Sequence, residues 1–107
     1  MFTRIVELNC KPGKTKELST IVQDKVLPIL RRQTGFVDEI TLSSETEPNH
    51  ILALSFWNTH DDADRYQRNE YQKINDMIQH LVETSPKVKT FNVENSTTHK
   101  VVAGKAA

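Results

Sequence analysis

The side chains able to do chemistry in this chain are few and mostly aromatic. Trp57 is followed at nine residues by Tyr66 and, five further on, by Tyr71. An indole N–H and two phenol hydroxyls on flat, apolar bodies suit the holding and orienting of a flat ligand. Asn9 adds a neutral donor able to steady an oxyanion. His80 is the side chain whose ordinary pKa best suits a base near neutrality. Together these types can grip an aromatic molecule, take a proton from it and stabilise the anion that remains. Each also has a plainer reading. Trp57 fits a core-edge residue under a helix, and Tyr66 and Tyr71 fit core tyrosines with their tips at the surface. Asn9 fits a polar residue beside a turn, and His80, between Met77 and Leu81, fits a solvent-facing helix position.

Other chemistries find less support. His60 lies among Asp61, Asp62 and Asp64, a hint of metal binding, but acidic residues in a first helical turn already answer the helix dipole. Cys10 is the only cysteine, so no intrachain disulfide or multi-cysteine zinc site is open to it, and it reads as a small buried or edge residue. Gly13 stands alone, without a phosphate-cradling loop around it. His50 at a turn and His99 near the C-terminus carry no assigned role. With 14 basic and 14 acidic residues spread along the chain, there is no basic stripe for nucleic acid. No apolar run approaches the roughly 20 residues of a membrane span. The first residues lack a signal-peptide core, which leaves the cytoplasm as the expected location.

The elements that must position these groups follow from hydrophobic spacing. Phe2 to Asn9 alternates as a strand, and Lys11-Pro12-Gly13-Lys14 breaks it. Leu18, Ile21, Val22, Val26, Ile29 and Leu30 recur at helical spacing, with Pro28 expected to kink the last turns. Gly35 stands where a left-handed residue ends the helix. A second strand should put Phe36, Ile40 and Leu42 on one face and Val37, Glu39 and Thr41 on the other. A third, His50 to Trp57, is apolar on both faces and therefore central. Thr59 and Asp62 make a capping box in its Asp form. The helical pattern from Ala63 to Val82 divides near Asn69-Glu70. A final strand runs from Val88 to Glu94, and residues 96–107 read as a flexible tail after a 1–95 domain. Strand, helix, strand, strand, helix, strand makes a four-stranded antiparallel α+β sheet of ferredoxin-like βαββαβ order, with both helices on one face. A chain this short has a thin core, and an apolar sheet face left bare is a surface for a second copy.

Four groups of residues carry a resemblance. Lys11-Pro12-Gly13-Lys14 follows the first strand, Leu27-Pro28-Ile29-Leu30 lies late in the first helix, Thr34-Gly35-Phe36 opens the second strand, and Phe56-Trp57 ends the third. In this order over about the first 95 positions, the chain resembles the antibiotic biosynthesis monooxygenase (ABM) family. The resemblance implies subunits paired into a dimeric α+β barrel, with a pocket between sheet and helices in each. Where family members often carry a histidine, nine residues after the tryptophan, this chain has Tyr66, and Tyr71 stands for a common phenylalanine. Asp76 occupies the position matching the histidine of the haem-degrading branch, which disfavours haem breakdown.

The resemblance also implies a chemistry. Ground-state dioxygen reacts slowly with closed-shell molecules unless the substrate is an electron-rich anion. An oxygenase that uses no cofactor therefore needs an apolar slot, an aromatic wall, a base and donors for an oxyanion. The expectation is a homodimeric, cofactor-independent monooxygenase of a small aromatic or quinol-like molecule. Trp57 and Tyr66 would hold the ring, Asn9 would stabilise the anion and His80 would be the remaining base candidate. A dimeric binding or stress-linked protein of the same fold is the alternative, and an enzyme that uses no oxygen is a third, since one fold hosts many functions.

Overall fold

A computed structural model describes residues 1–101. Strands β1 (Phe2–Asn9), β2 (Phe36–Ser43), β3 (His50–Trp57) and β4 (Lys87–Asn92) form one antiparallel sheet in the order β2-β3-β1-β4. The helical layer consists of α1 (Thr15–Ile21), a π-helical turn (Val22–Val26), α2 (Leu27–Arg31), α3 (His60–Asn69) and α4 (Tyr71–Ile78). This is the expected ferredoxin-like α+β order. β3 is central, and Asn69-Glu70 divides the second helical stretch, as the pattern requires. Among the described residues no helix is long and apolar enough to cross a membrane.

One local expectation gains detail and another needs correction. The helical path runs without a break from Thr15 through Pro28 to Arg31, and its irregularity is the π turn at Val22–Val26. Pro28 has no N–H for the carbonyl four residues back, that of Asp24, and this carbonyl lies inside the π turn. The correction concerns β2. Phe36 pairs with Trp57 but Asp38 pairs with Phe56, so Val37 is an extra, bulged residue. The bulge reverses the alternation beyond it. Phe36 shares the face of Trp57, whereas Ile40 and Leu42 lie on the opposite face with Leu54 and Leu52. Glu39 and Thr41 join the face that the helices cover.

The core forms two clusters on that covered face. One gathers Phe2, Val26, Leu30, Trp57, Ala63, Tyr66 and Ile74, and the other Leu8, Cys10, Leu18, Ile51, Ile78 and Leu81. Burial raises the Cys10 thiol pKa, as befits a packed, unreactive cysteine. The opposite face has no helical cover. Ile40, Leu42 and Phe91 are 42%, 45% and 50% exposed there. At one corner the chain returns across this face, where the His99 ring stacks on Phe56 at 6.5 Å and its Nε2 lies 3.3 Å from Asp38 Oδ2. Residues 102–107 of the expected tail lie outside the described residues. At the opposite end of the sheet, His50 sits between Glu7 and Glu47 at 2.9 and 3.0 Å, and its hydrogen bond holds the Glu7 carboxyl below its ordinary value.

Candidate active site

One row across the helix-covered face is polar from edge to edge. Glu39 on β2 pairs with Ser55 on β3, Ser55 pairs with Arg4 on β1, and Arg4 pairs with Thr90 on β4. The neighbouring rows are mainly apolar: Phe36, Trp57 and Phe2 on one side, Ala53, Val6 and Val88 on the other. With strands about 4.8 Å apart, the backbone positions of Glu39 and Arg4 stand roughly 10 Å from each other across Ser55. The row is the floor of the candidate site.

α3 and α4 supply its roof. Thr59 caps α3, its hydroxyl accepting from the Asp62 amide at 3.1 Å and donating to Asp62 Oδ2 at 2.9 Å. Helical spacing then turns Ala63 and Tyr66 inward. Tyr66 is 4% exposed and stacks on Trp57 with centroids 5.0 Å apart, while Tyr71 meets Tyr66 edge-on at 6.5 Å. Burial pushes the Tyr66 hydroxyl pKa well above its ordinary value, with the Arg4 charge opposing, and burial raises Tyr71 in the same way. Both phenols therefore stay protonated at neutral pH and can donate hydrogen bonds.

Arg4 lies between these layers and is 3% exposed. Its guanidinium carbon sits 5.1 Å from the Tyr66 ring centre and 4.7 Å from that of Tyr71, and Nη2 donates to Gln67 Oε1. Among the described residues no carboxylate forms an ion pair with it. Burial lowers its pKa from the ordinary value. A buried charge without a counter-ion is costly, and stacking against two rings offsets only part of that cost.

A cavity of about 60 Å³ opens over the polar row, with Arg4, Glu39, Ser55, Tyr66 and Tyr71 as its polar lining. Val22 and Val26 of the π turn and Leu30 of α2 form an apolar wall. A second cavity of about 90 Å³ lies on the other side of Arg4, between Phe2, Gln67 and Thr90. Arg4 lines both. Both are small beside the roughly 150 Å³ that admits a benzene ring, so a ring-sized ligand requires the lining side chains to move apart. Glu39 lines the first cavity. Burial raises its pKa, and the Thr41 hydroxyl donates to it at 2.8 Å.

The sequence-derived candidates separate in space. Tyr66 reaches the cavity. Trp57 stands behind it, fully buried, packed edge-on against Phe36 at 5.6 Å, and its indole N–H donates to Ser55 Oγ at 2.9 Å. Trp57 therefore backs Tyr66 and orients Ser55, and its donor is not free for a ligand. Asn9 is exposed at the end of β1, beside the turn that follows. His80 is also exposed and lies 3.7 Å from Glu17. Neither lines the cavity. Arg4 and Glu39 were missed. Arg4 had a visible signal, a charge in the inward half of an alternating strand (Phe2, Arg4, Val6, Leu8). Glu39 had none, because the bulge that turns it inward leaves no mark in the alternation.

A family model described as antibiotic biosynthesis monooxygenase matches residues 1–74, a span that includes every polar group of the cavity. No curated protein sequence matches the chain. Among solved structures, the chain is similar to SnoaB, a cofactor-independent oxygenase from Streptomyces nogalater. The two are 16% identical with a TM-score of 0.73, covering 92% of this chain and 97% of that one. It is also similar to a protein of unknown function from Nitrosomonas europaea, at 13% identity and a TM-score of 0.76 over 92% and 94% of the two chains. A conserved protein from Methanosarcina mazei Go1 matches at 16% identity and a TM-score of 0.70 over 85% and 91%. At such identities these structures speak for the fold alone. The family match spans well over half of the sequence, and on that ground the chain belongs to the antibiotic biosynthesis monooxygenase family.

Proposed function

We propose that this protein is a cofactor-independent monooxygenase of a small aromatic or quinol-like molecule, working as a homodimer through the bare sheet face. The observation that supports this most is the polar set around one cavity: a carboxyl with a raised pKa, two phenols that stay protonated, and a buried cation. Glu39 takes the acidic proton of the substrate, because a carboxyl tuned upward is a better base for a weak acid than an ordinary one. Tyr66 walls the ring and donates to the developing oxyanion, in a site where the positive field of Arg4 already favours an anion. The anion itself is the reductant for dioxygen. Trp57 holds Tyr66 in place from behind. The proposal assigns no step to Asn9 or His80.

Oxygen uptake by the purified protein, measured on hydroquinones and polyphenols without added metal or flavin, tests this reading. Tyr66→Phe should lower turnover about 10-fold or more while binding is retained. Saturable binding with no uptake across the panel would replace the oxygenase with the alternative, a dimeric small-molecule-binding protein.

A further inference from the structure

Arg4 is the group whose presence the fold does least to explain. An inward position on a central strand, between Phe2 and Val6, asks for an apolar side chain. A guanidinium has many N–H donors in a fixed fork, yet here its partners are the Gln67 side-chain carbonyl, the Tyr66 hydroxyl and two ring faces, none of them a carboxylate. The rest of the fork stands at the junction of two cavities. Along the same row, Ser55 separates it from Glu39. A cation and a proton acceptor thus stand roughly 10 Å apart at the backbone. Their side chains reach inward over a floor of Ala53 and Ser55, under a roof of tyrosine rings.

We propose that Arg4 is an anion clamp, and that the ligand of this pocket is an aromatic acid. Its carboxylate lies in the guanidinium fork, and a hydroxyl at the far end of its ring points to Glu39. This rests on the reading of the cavity as a substrate site, and it narrows the substrate class from neutral phenols and quinols to hydroxyaryl carboxylates. The carboxylate supplies the counter-ion that Arg4 lacks, by paired hydrogen bonds that match the two planar groups. The ring occupies the apolar space between Tyr66 and the π turn, which must widen beyond its volume of about 60 Å³ to admit it. Burying the cation without a carboxylate partner leaves the ion pair for the ligand, which is how a site rejects neutral look-alikes.

The test is anaerobic calorimetric titration of the intact protein with 4-hydroxybenzoate, with 4-hydroxybenzamide as the neutral match in shape. The acid should bind about 30-fold more tightly than the amide. In Arg4→Met that preference should vanish, with the unfolding midpoint unchanged or raised, because an apolar side chain of similar length removes a buried charge. Arg4→Lys should restore only part of the preference, since an ammonium lacks the fork. Equal affinity for acid and amide in the unaltered protein overturns the clamp without recourse to any variant, as does failure of the acid to bind at millimolar concentration. A sharply lowered unfolding midpoint in Arg4→Met would also overturn it, by making the arginine a structural tie between the tyrosines. Oxygen uptake separates the two proposals. An acid bound through Arg4 with no uptake upholds the clamp and removes the oxygenase, whereas uptake of neutral quinols by the unaltered protein, with no preference for acid over amide, does the reverse.

Discussion

Glu39 is the residue whose role a pH profile can read. Burial raises its pKa above the ordinary carboxyl value of 4.5, so the folded protein holds this proton more tightly than the unfolded chain does. The linkage sign follows: ionising Glu39 costs folding stability, a penalty absent below the ordinary value and complete once the pH passes the folded pKa. Activity runs the other way, because the base works only when ionised. The pH profile of kcat/KM should therefore rise through an apparent pKa above 4.5. Glu39→Gln should abolish that limb and lower the rate by roughly 10²–10⁴-fold, while leaving the protein at least as stable at neutral pH. An unchanged acid limb in Glu39→Gln would move the base elsewhere. Of the residues that matter at this scale, Tyr66 was legible as an inward aromatic of an amphipathic helix. Arg4 was legible in principle, as a misfit in an alternating strand. Trp57 was legible as buried, but whether its N–H faces a ligand or Ser55 depends on a contact that spacing does not encode.

At the scale of elements, the roof is tied to the sheet through Gly35. Its φ of +80° is a left-handed value, and a Cβ placed there would collide with the Asp62 carboxyl and meet Asp62 Cβ at 2.6 Å. Asp62 belongs to the cap of α3, so the loop before β2 and the start of the tyrosine-bearing helix touch at this glycine. Gly13 offers an internal control, with a φ of +77° and nothing within 4 Å of its missing Cβ. Gly13→Ala should cost about 1 kcal/mol from backbone strain alone. Gly35→Ala should cost roughly 3 kcal/mol or more, since the cap must also shift, and urea denaturation of the two variants measures the difference. Equal losses would mean that the close approach to Asp62 carries no energy. Helix and strand order was readable from periodicity because each element repeats its signal over several residues. The π turn and the bulge were not, since each is a single-residue change of phase that local pattern averages away.

For the whole molecule, the uneven covering of the sheet is the governing fact. One face carries the helices and the cavity, and the other leaves Ile40 and Leu42 on one edge strand and Phe91 on the other near half exposure, an uncovered apolar surface of the kind a second copy can bury. If two copies meet there, Leu42→Lys should yield a monomer by light scattering, because charges facing each other across an apolar contact are strongly unfavourable. A dimer that survives Leu42→Lys together with Ile40→Lys would place the contact on another surface. A sheet apolar on both sides was foreseeable from β3 alone. Which side β2 contributes to was not foreseeable, and there the extra residue has a wider consequence. Val37 acts as a parity bit within its strand: because it takes no place in the ladder, Phe36 and Glu39 face the same side although three positions apart. In a ladder that counted Val37, opposite Phe56, Asp38 would stand across from Ser55 and Glu39 would turn out toward the bare face, with every residue of the sequence unchanged. Which carboxyl overlooks the pocket floor is thus chosen by the bulge and not by composition.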